Sequence, residues 1–441
     1  MLSSTYETDL RLLQPEFISL ELGRFEQATQ ISDPIVGETQ QWRTYLNTLA
    51  LLGFTQWVRE QSGDIDINQD GCSLLHPYYA NVLEIVCNLR IAQFKVCLVA
   101  TEHLLDEIIM VPRAAIDLPE FAAHFYIVIE VQEEQSQALI RGYGRYDQLI
   151  AHRQTVDLQA DRDWNYPFPL DLFDAEPNHL LLHLQTLHPS AIALPTGKPP
   201  AISSLTQADL NHLLSYWRQS PDQNFWRSLT WEQGSMLLQS PELLELLYQW
   251  RRSPEKPPSL RIRIIEVFTL LTQQAINTAQ WIRDELDELA QSLGWFSPQM
   301  LTSGAFEFRS LDKFKAAIED LRYQGMDIPS RLSPMYQDIE WEGELFRVCA
   351  ATWTLVTSAS APQWVLLLIL GTQMGNPLPD GLILCVANLT HTLCEEKSEL
   401  DTEVLYARIE ARQGEKLVAT IVSPEGQALT LSPYRFEADP I

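Results

Sequence analysis

The chain has 441 residues, 46% of them hydrophobic, with twelve tryptophans among them; this is enough apolar material for buried cores in about two to four domains and excludes a globally disordered chain, which would be poor in aromatics. With 58 acidic against 31 basic side chains, the formal charge is -27. Such a balance argues against a large phosphate-binding surface, so neither direct nucleic-acid binding nor an anionic membrane is expected.

No basic region followed by an apolar stretch opens the sequence, and the longest apolar run, Trp364 to Leu370, falls well short of the roughly 20 residues of a membrane helix. Six cysteines, Cys72, Cys87, Cys97, Cys349, Cys385 and Cys394, form no CxxC pair. They read as reduced, small hydrophobic residues, and the expected location is cytoplasmic.

In chain order, the first strong element is an amphipathic helix from about Gln41 to Gln61, where Trp42, Tyr45, Leu46, Leu49, Leu52, Trp57 and Val58 recur at helical spacing. The period then changes to two, with Ile85, Cys87, Leu89 and Ile91 alternating with other residues. Strand-like runs follow at Phe94 to Ala100, Glu107 to Val111, His124 to Val131 and Ala138 to Tyr143. A small antiparallel sheet or open barrel packed on the first helix is expected, forming an N-terminal α+β domain over residues 1–190. Helix breakers between Leu194 and Pro200 mark its end.

A helical middle region, 200–330, follows. Leu210, Leu213, Leu214 and Trp217 share one helical face, and Leu243, Leu244, Leu246, Leu247 and Trp250 form a second apolar segment. After the break Ser253 to Pro258, a long helix is expected from Ile264 to Leu293, although its early β-branched residues also fit a strand. Ser310 is placed as the N-cap of a last helix, Leu311 to Leu321, with Gly325 after it. Beyond Pro334, runs at Val348 to Val356, Trp364 to Leu370, Leu382 to Leu389, Val404 to Arg412, Leu417 to Val422 and Ala428 to Leu431 predict a C-terminal β-sandwich over 335–441. The fold class expected is α+β and multidomain.

Candidate sites are few, and each has a structural reading beside the functional one. Asp66-Ile67-Asn68-Gln69-Asp70-Gly71 fits the first half of a calcium loop, but Pro77 occupies the position of the bidentate Glu, so Asp66, Asn68 and Asp70 read as a polar turn. His179 and His183 are spaced as two helical metal ligands, with Glu176 one turn earlier; without a third ligand they read as the polar edge of a helix. His391-Thr392-Leu393-Cys394 is a weaker half-site of the same kind. Arg141-Gly142-Tyr143-Gly144-Arg145-Tyr146 interleaves basic, glycine and aromatic residues as single-strand binders do, yet two glycines in a strand point to a bulge. Gly371 to Gly381 lacks the Lys-Ser or Lys-Thr of a phosphate loop and reads as a strand connection. Asp284, Glu285, Asp287 and Glu288 read as the solvated face of the long helix. No G-x-S-x-G, HExxH or GxGxxG motif occurs, so no catalytic residue, cofactor or bound metal is expected.

Several stretches resemble one family along most of the chain: Trp42-Arg43-Thr44-Tyr45-Leu46-Asn47 running into Phe54-Thr55-Gln56-Trp57-Val58-Arg59-Glu60, then Ile276-Asn277-Thr278-Ala279-Gln280-Trp281-Ile282, Asp287-Glu288-Leu289-Ala290 and Leu293-Gly294-Trp295. Near the C-terminus they are Leu367-Leu368-Ile369-Leu370-Gly371-Thr372-Gln373, Leu378-Pro379-Asp380-Gly381-Leu382 and Glu415-Lys416-Leu417. These motifs look like those of a cyanobacterial set of proteins grouped as domain of unknown function 1822. The resemblance brings no catalytic residues. Its members' frequent encoding beside sigma-factor-like genes implies regulation through protein contact. The expected function is therefore that of a non-enzymatic protein-binding or regulatory protein. The alternatives are an acidic regulator of a sigma-like transcription factor, or an enzyme of unrecognised chemistry at a domain cleft lined by Asp66 to Asp70 or by His179 and His183.

Overall fold

A computed structural model of the protein describes residues 17–102, 107–197, 205–219, 225–298, 307–355 and 363–437. The chain divides into two compact units, Met1–Pro254 and Glu255–Ile441. The helices of the middle region thus fall on both sides of the Pro-rich break: Gln207–Gln219, Trp231–Leu238 and Pro241–Arg252 belong to the first unit, and Pro258–Thr272 opens the second.

The strands of the first unit are β1 (Phe17–Ser19), β2 (Ile67–Asn68), β3 (Val86–Ile91), β4 (Phe94–Thr101), β5 (Ile108–Pro112), β6 (Phe125–Gln132), β7 (Gln137–Arg145) and β8 (Asn165–Pro169). Six make one sheet in the order β1-β7-β6-β4-β3-β2, while β5 and β8 pair as a separate ribbon. The sheet is mixed rather than antiparallel, because β4 and β6 run parallel from Val96 opposite Phe125 to Thr101 opposite Glu130. Parallel neighbours need a long crossover. The connection from β4 to β6 provides it, carrying β5 and the short helix Arg113–Asp117.

Helix Glu38–Gln61 packs on this sheet, and from Leu46 to Val58 all its residues except Gln56 are buried. This breadth of burial explains why apolar residues occupy more than one stripe of the helix. Two elements escape sequence patterning. Helix Tyr146–Thr155 buries only Tyr146 and Leu149, too few to show a period, and β8 reads Asn-Tyr-Pro-Phe-Pro, whose prolines argue against a strand.

In the second unit the strands are β9 (Ile276–Asn277), β10 (Trp295–Phe296), β11 (Met335–Trp341), β12 (Glu344–Leu355), β13 (Gln363–Thr372), β14 (Ile383–Ala387), β15 (Thr392–Lys397), β16 (Val404–Arg412), β17 (Val418–Val422), β18 (Ala428–Thr430) and β19 (Tyr434–Arg435). One antiparallel sheet has the order β10-β11-β12-β13-β16 and another β15-β14-β17-β18. Val348, Leu366 and Leu368 of the first share a core with Leu384, Val386, Ala419 and Ile421 of the second. On the other face, Cys349, Val365, Leu367 and Ile369 pack with Phe314, Ile318 and Leu321 of helix Glu307–Tyr323. Strand β13 is covered on both sides, which accounts for its unbroken apolar run.

The long helix expected from Ile264 to Leu293 is broken. It ends at Thr272, the chain pairs Ile276 with Tyr434 in a parallel contact, and a 3-10 turn, Thr278–Arg283, leads to the short helix Glu288–Ser292. Trp281 explains the break: it is fully buried, its ring centroid 5.2 Å from Trp295 and 6.3 Å from Tyr434. Docking this ring outweighs continued helix. Ser310 lies inside helix Glu307–Tyr323 rather than capping it, whereas Gly325, at φ +92°, follows its end as the spacing predicts.

Candidate functional site

Helix Glu38–Gln61 begins at Gly37, whose φ of 92° is open to glycine. The first turns that follow place Glu38, Gln40 and Arg43 on one wall of a cleft of about 1150 Å³ within the first unit. The lining continues with the end of β4 and Thr101 and Glu102, the exposed side of β5, and the loop from Asp161 to Asn165. Glu84, which precedes β3, and Arg227 complete the charged lining.

Five carboxylates, of Glu38, Glu84, Glu102, Asp161 and Asp163, thus face two guanidiniums, of Arg43 and Arg227. Asp161 is committed to structure, its Oδ1 accepting the backbone N–H groups of Asp163 (2.9 Å) and Asn165 (2.8 Å). Asp163 pairs with Arg227 at 3.2 Å, and Glu102 accepts from Trp42 Nε1 at 3.0 Å. Gln40 Nε2 donates to Glu84 at 3.4 Å, but Gln40 Oε1 is buried without a hydrogen-bond partner although the residue is only 8% exposed. Thr101 Oγ1, in the same lining, is also buried and unpartnered. Buried polar atoms of native proteins are nearly always satisfied, so these two covered atoms are weak points in the packing beneath the cleft's lining.

Strand β5 gives the cleft its apolar part. Ile109 and Val111 are fully buried, while Ile108 and Met110 point outward, 51% and 41% exposed, and line the cleft. Among its described lining residues there is no Ser, Cys, His, Lys or Tyr. The cleft offers a negative field, hydrogen-bond acceptors and exposed apolar side chains, which is equipment for recognition.

The residues singled out in the sequence lie elsewhere. Asn68 Oδ1 accepts the N–H of Asp70 (2.9 Å), its Nδ2 donates to Asp70 Oδ2 (3.3 Å), and Asp66 accepts at its backbone from Ala92 (2.8 Å). The polar run therefore ties its own turn beside β2. Both histidines lie on helix Pro177–Thr186, but they engage different partners. His179 Nδ1 meets Asp174 Oδ2 at 2.8 Å, whereas His183 Nδ1 meets the Tyr143 hydroxyl at 3.3 Å and stacks on Phe125. Burial, reinforced by the charge of Arg145, holds the His183 ring below the ordinary histidine range. Partial burial pushes the Asp174 carboxyl up, but the N–H of Glu176 and the ring of His179 outweigh it and hold the group below the usual range. Among the described residues no three His, Cys, Asp or Glu side chains come together as a metal site.

The Arg141 to Tyr146 stretch is a bulged strand. Val128 faces Gly142 and Ile129 faces Ile140, which leaves Arg141 as the extra residue. Its glycines admit a neighbouring loop: a Cβ at Gly142 would stand 3.0 Å from Asp174 O, and one at Gly144 would stand 3.1 Å from the Phe173 ring. Gly371 to Gly381 links β13 to β14, with Lys313 Nζ donating to Gly375 O at 2.6 Å. His391 Nδ1 contacts Thr390 Oγ1 at 2.8 Å. The Asp284 to Glu288 acids are not a helix face. Asp284 has φ +62°, and Asp287 caps the short helix through Ala290 N (2.7 Å) while accepting Asn277 N (2.9 Å).

Sequence reasoning missed the cleft because its residues are scattered from Glu38 to Arg227 at no regular spacing. The prolines of β8 gave no signal for it, because they argue against a strand. A family model described as "Protein of unknown function (DUF1822)" matches residues 18–425. No curated protein matches the chain. No helix among the described residues is long and apolar enough to cross a membrane.

Proposed function

The chain belongs to the DUF1822 family, and since that membership carries no activity with it, we propose from the site itself that this is a non-enzymatic binding protein whose partner is another protein. The observation that carries the reading is the cleft of the first unit, where five carboxylates outnumber two guanidiniums around exposed Ile108 and Met110. A basic protein segment suits such a lining, because opposite charge speeds encounter and apolar side chains supply contact area. Phosphate-rich nucleic acid and anionic membrane do not suit it. The reading also keeps the protein cytoplasmic and treats the two C-terminal sheets, which share one core, as a β-sandwich. The enzyme alternative, at a cleft lined by Asp66 to Asp70 or by His179 and His183, draws on no residue of this cleft, while a regulator of a sigma-like factor would use an acidic, partly apolar surface of this kind and nothing here singles out that partner.

The test is affinity purification from the native cell with the wild-type chain and with a variant carrying Glu84→Gln, Glu102→Gln and Asp163→Asn. A stoichiometric protein recovered with the first and lost with the second supports the proposal. Equal recovery with both, or turnover of a substrate abolished by the cleft substitutions, contradicts it.

A further inference from the structure

The hydrogen-bond parity of β5 shows which of its edges is open. Leu170 N donates to Glu107 O at 2.8 Å, and Arg113 N donates to Trp164 O at 2.7 Å. In an antiparallel pair bonded positions alternate, so Ile109 with Phe168 and Val111 with Tyr166 are the bonded pairs between them. Pro169 and Pro167, which have no N–H, stand opposite Ile108 and Met110 at the intervening positions. The backbone N–H and C=O groups of Ile108 and Met110 therefore point away from β8. Among the described residues β5 has no other strand partner. Edge strands are usually blunted by a lysine, a proline or a bulge; Pro112, the third outward residue, closes this edge at its C-terminal end, and Ile108 and Met110 leave the two positions before it open.

Resting on the binding reading above, we propose that β5 is an acceptor edge, to which an extended segment of a basic partner protein adds as a further strand. Two donors and two acceptors spaced two residues apart fix the register of the incoming chain. Apolar side chains of that segment lie against Ile108 and Met110, and its Lys or Arg side chains meet Glu84, Glu102 and Asp163 on the same cleft. Charge selects the occupant. A second copy of this chain would bring its own formal charge of -27, whereas a basic segment is complementary to the lining.

The experiment selects short random peptides of about ten residues, enough to span a strand, from a display library against the full-length chain. The best binders are then synthesised with each backbone amide N-methylated in turn. The expected binders carry Lys or Arg interleaved with apolar residues. N-methylation at alternate amides should weaken binding about tenfold or more, with the intervening amides tolerant, since each blocked N–H removes a ladder bond and adds a clash. Hydrogen exchange over residues 107–112 should slow in the complex. If no N-methylated peptide loses affinity while the Glu84→Gln, Glu102→Gln, Asp163→Asn variant still binds poorly, strand addition is overturned and the acidic-cleft reading stands. Binders indifferent to those substitutions overturn both, and a library that returns no binder overturns the proposal.

Discussion

Gly234 lies in helix Trp231–Leu238, where an alanine would ordinarily stabilise by about 1 kcal/mol. The structure reverses that sign. A Cβ at Gly234 would come within 2.8 Å of Trp226 Cε3 and 3.2 Å of its Cη2, with Cζ3 closer still. Carbon atoms rest at roughly 3.5 to 4.0 Å, so the ring must move by more than about 1 Å. It is held in place, 6% exposed, with Nε1 donating to Val82 O at 3.0 Å and its plane stacked on Trp231. Overpacking costs about 1–3 kcal/mol and the strained hydrogen bond about 1 kcal/mol. After subtracting the helix gain, Gly234→Ala should destabilise the first unit by about 2 kcal/mol. It should also loosen the adjacent Arg227, which pairs with Asp163 in the cleft. Urea unfolding, with the transition assigned by hydrogen exchange over 225–238, measures the loss. Gly23, near the start of helix Leu22–Ser32 with nothing within 4 Å of a built Cβ, is the control, and Gly23→Ala should be neutral or stabilising. A Gly234→Ala chain as stable as wild type would refute the packing argument.

Arg347 is 1% exposed and bonds both oxygens of Asp338, at 2.5 and 2.7 Å. Asp338→Ala should therefore cost about 2 kcal/mol in the second unit's unfolding, the value being reduced by Asp338's own exposure to solvent. His124 Nδ1 accepts the N–H of Lys95 at 2.9 Å, and burial, with the charge of Lys95, holds the ring below the ordinary histidine range. Below about pH 6.5 the unfolded chain then binds a proton that the fold resists, so stability should drop as pH falls from there towards the folded pKa. His124→Asn should shrink that drop in denaturation midpoints measured at about pH 7.5 and 5.5.

Much of the fold was legible where burial concentrates apolar residues. The helix from Gln41 shows it, and so does β13, whose covered faces produce the run Trp364 to Leu370. Gly142 and Gly144 were legible too, since two glycines in a strand signal close approach. What failed did so because long-range contacts overrode local pattern. Trp281 broke a helix by docking on Trp295 and Tyr434, and a crossover through β5 made the N-terminal sheet mixed. Asp287 looked like surface charge and is a cap. The cleft depends on Gln40, Glu84, Thr101 and Asp163 meeting in space, which no spacing announces, and the open edge of β5 follows from hydrogen-bond parity rather than from residue type.

The central claim is that the cleft recognises a basic protein segment, and the association rate of a selected basic peptide with the full-length chain tests it most directly. Raising salt from about 0.1 M to about 1 M shortens the Debye length from about 10 Å to about 3 Å. The rate should fall about tenfold or more over that range. The Glu84→Gln, Glu102→Gln, Asp163→Asn variant should start slower and lose most of the salt dependence. Equal rates at both salt concentrations, or a variant indistinguishable from wild type, would contradict the account.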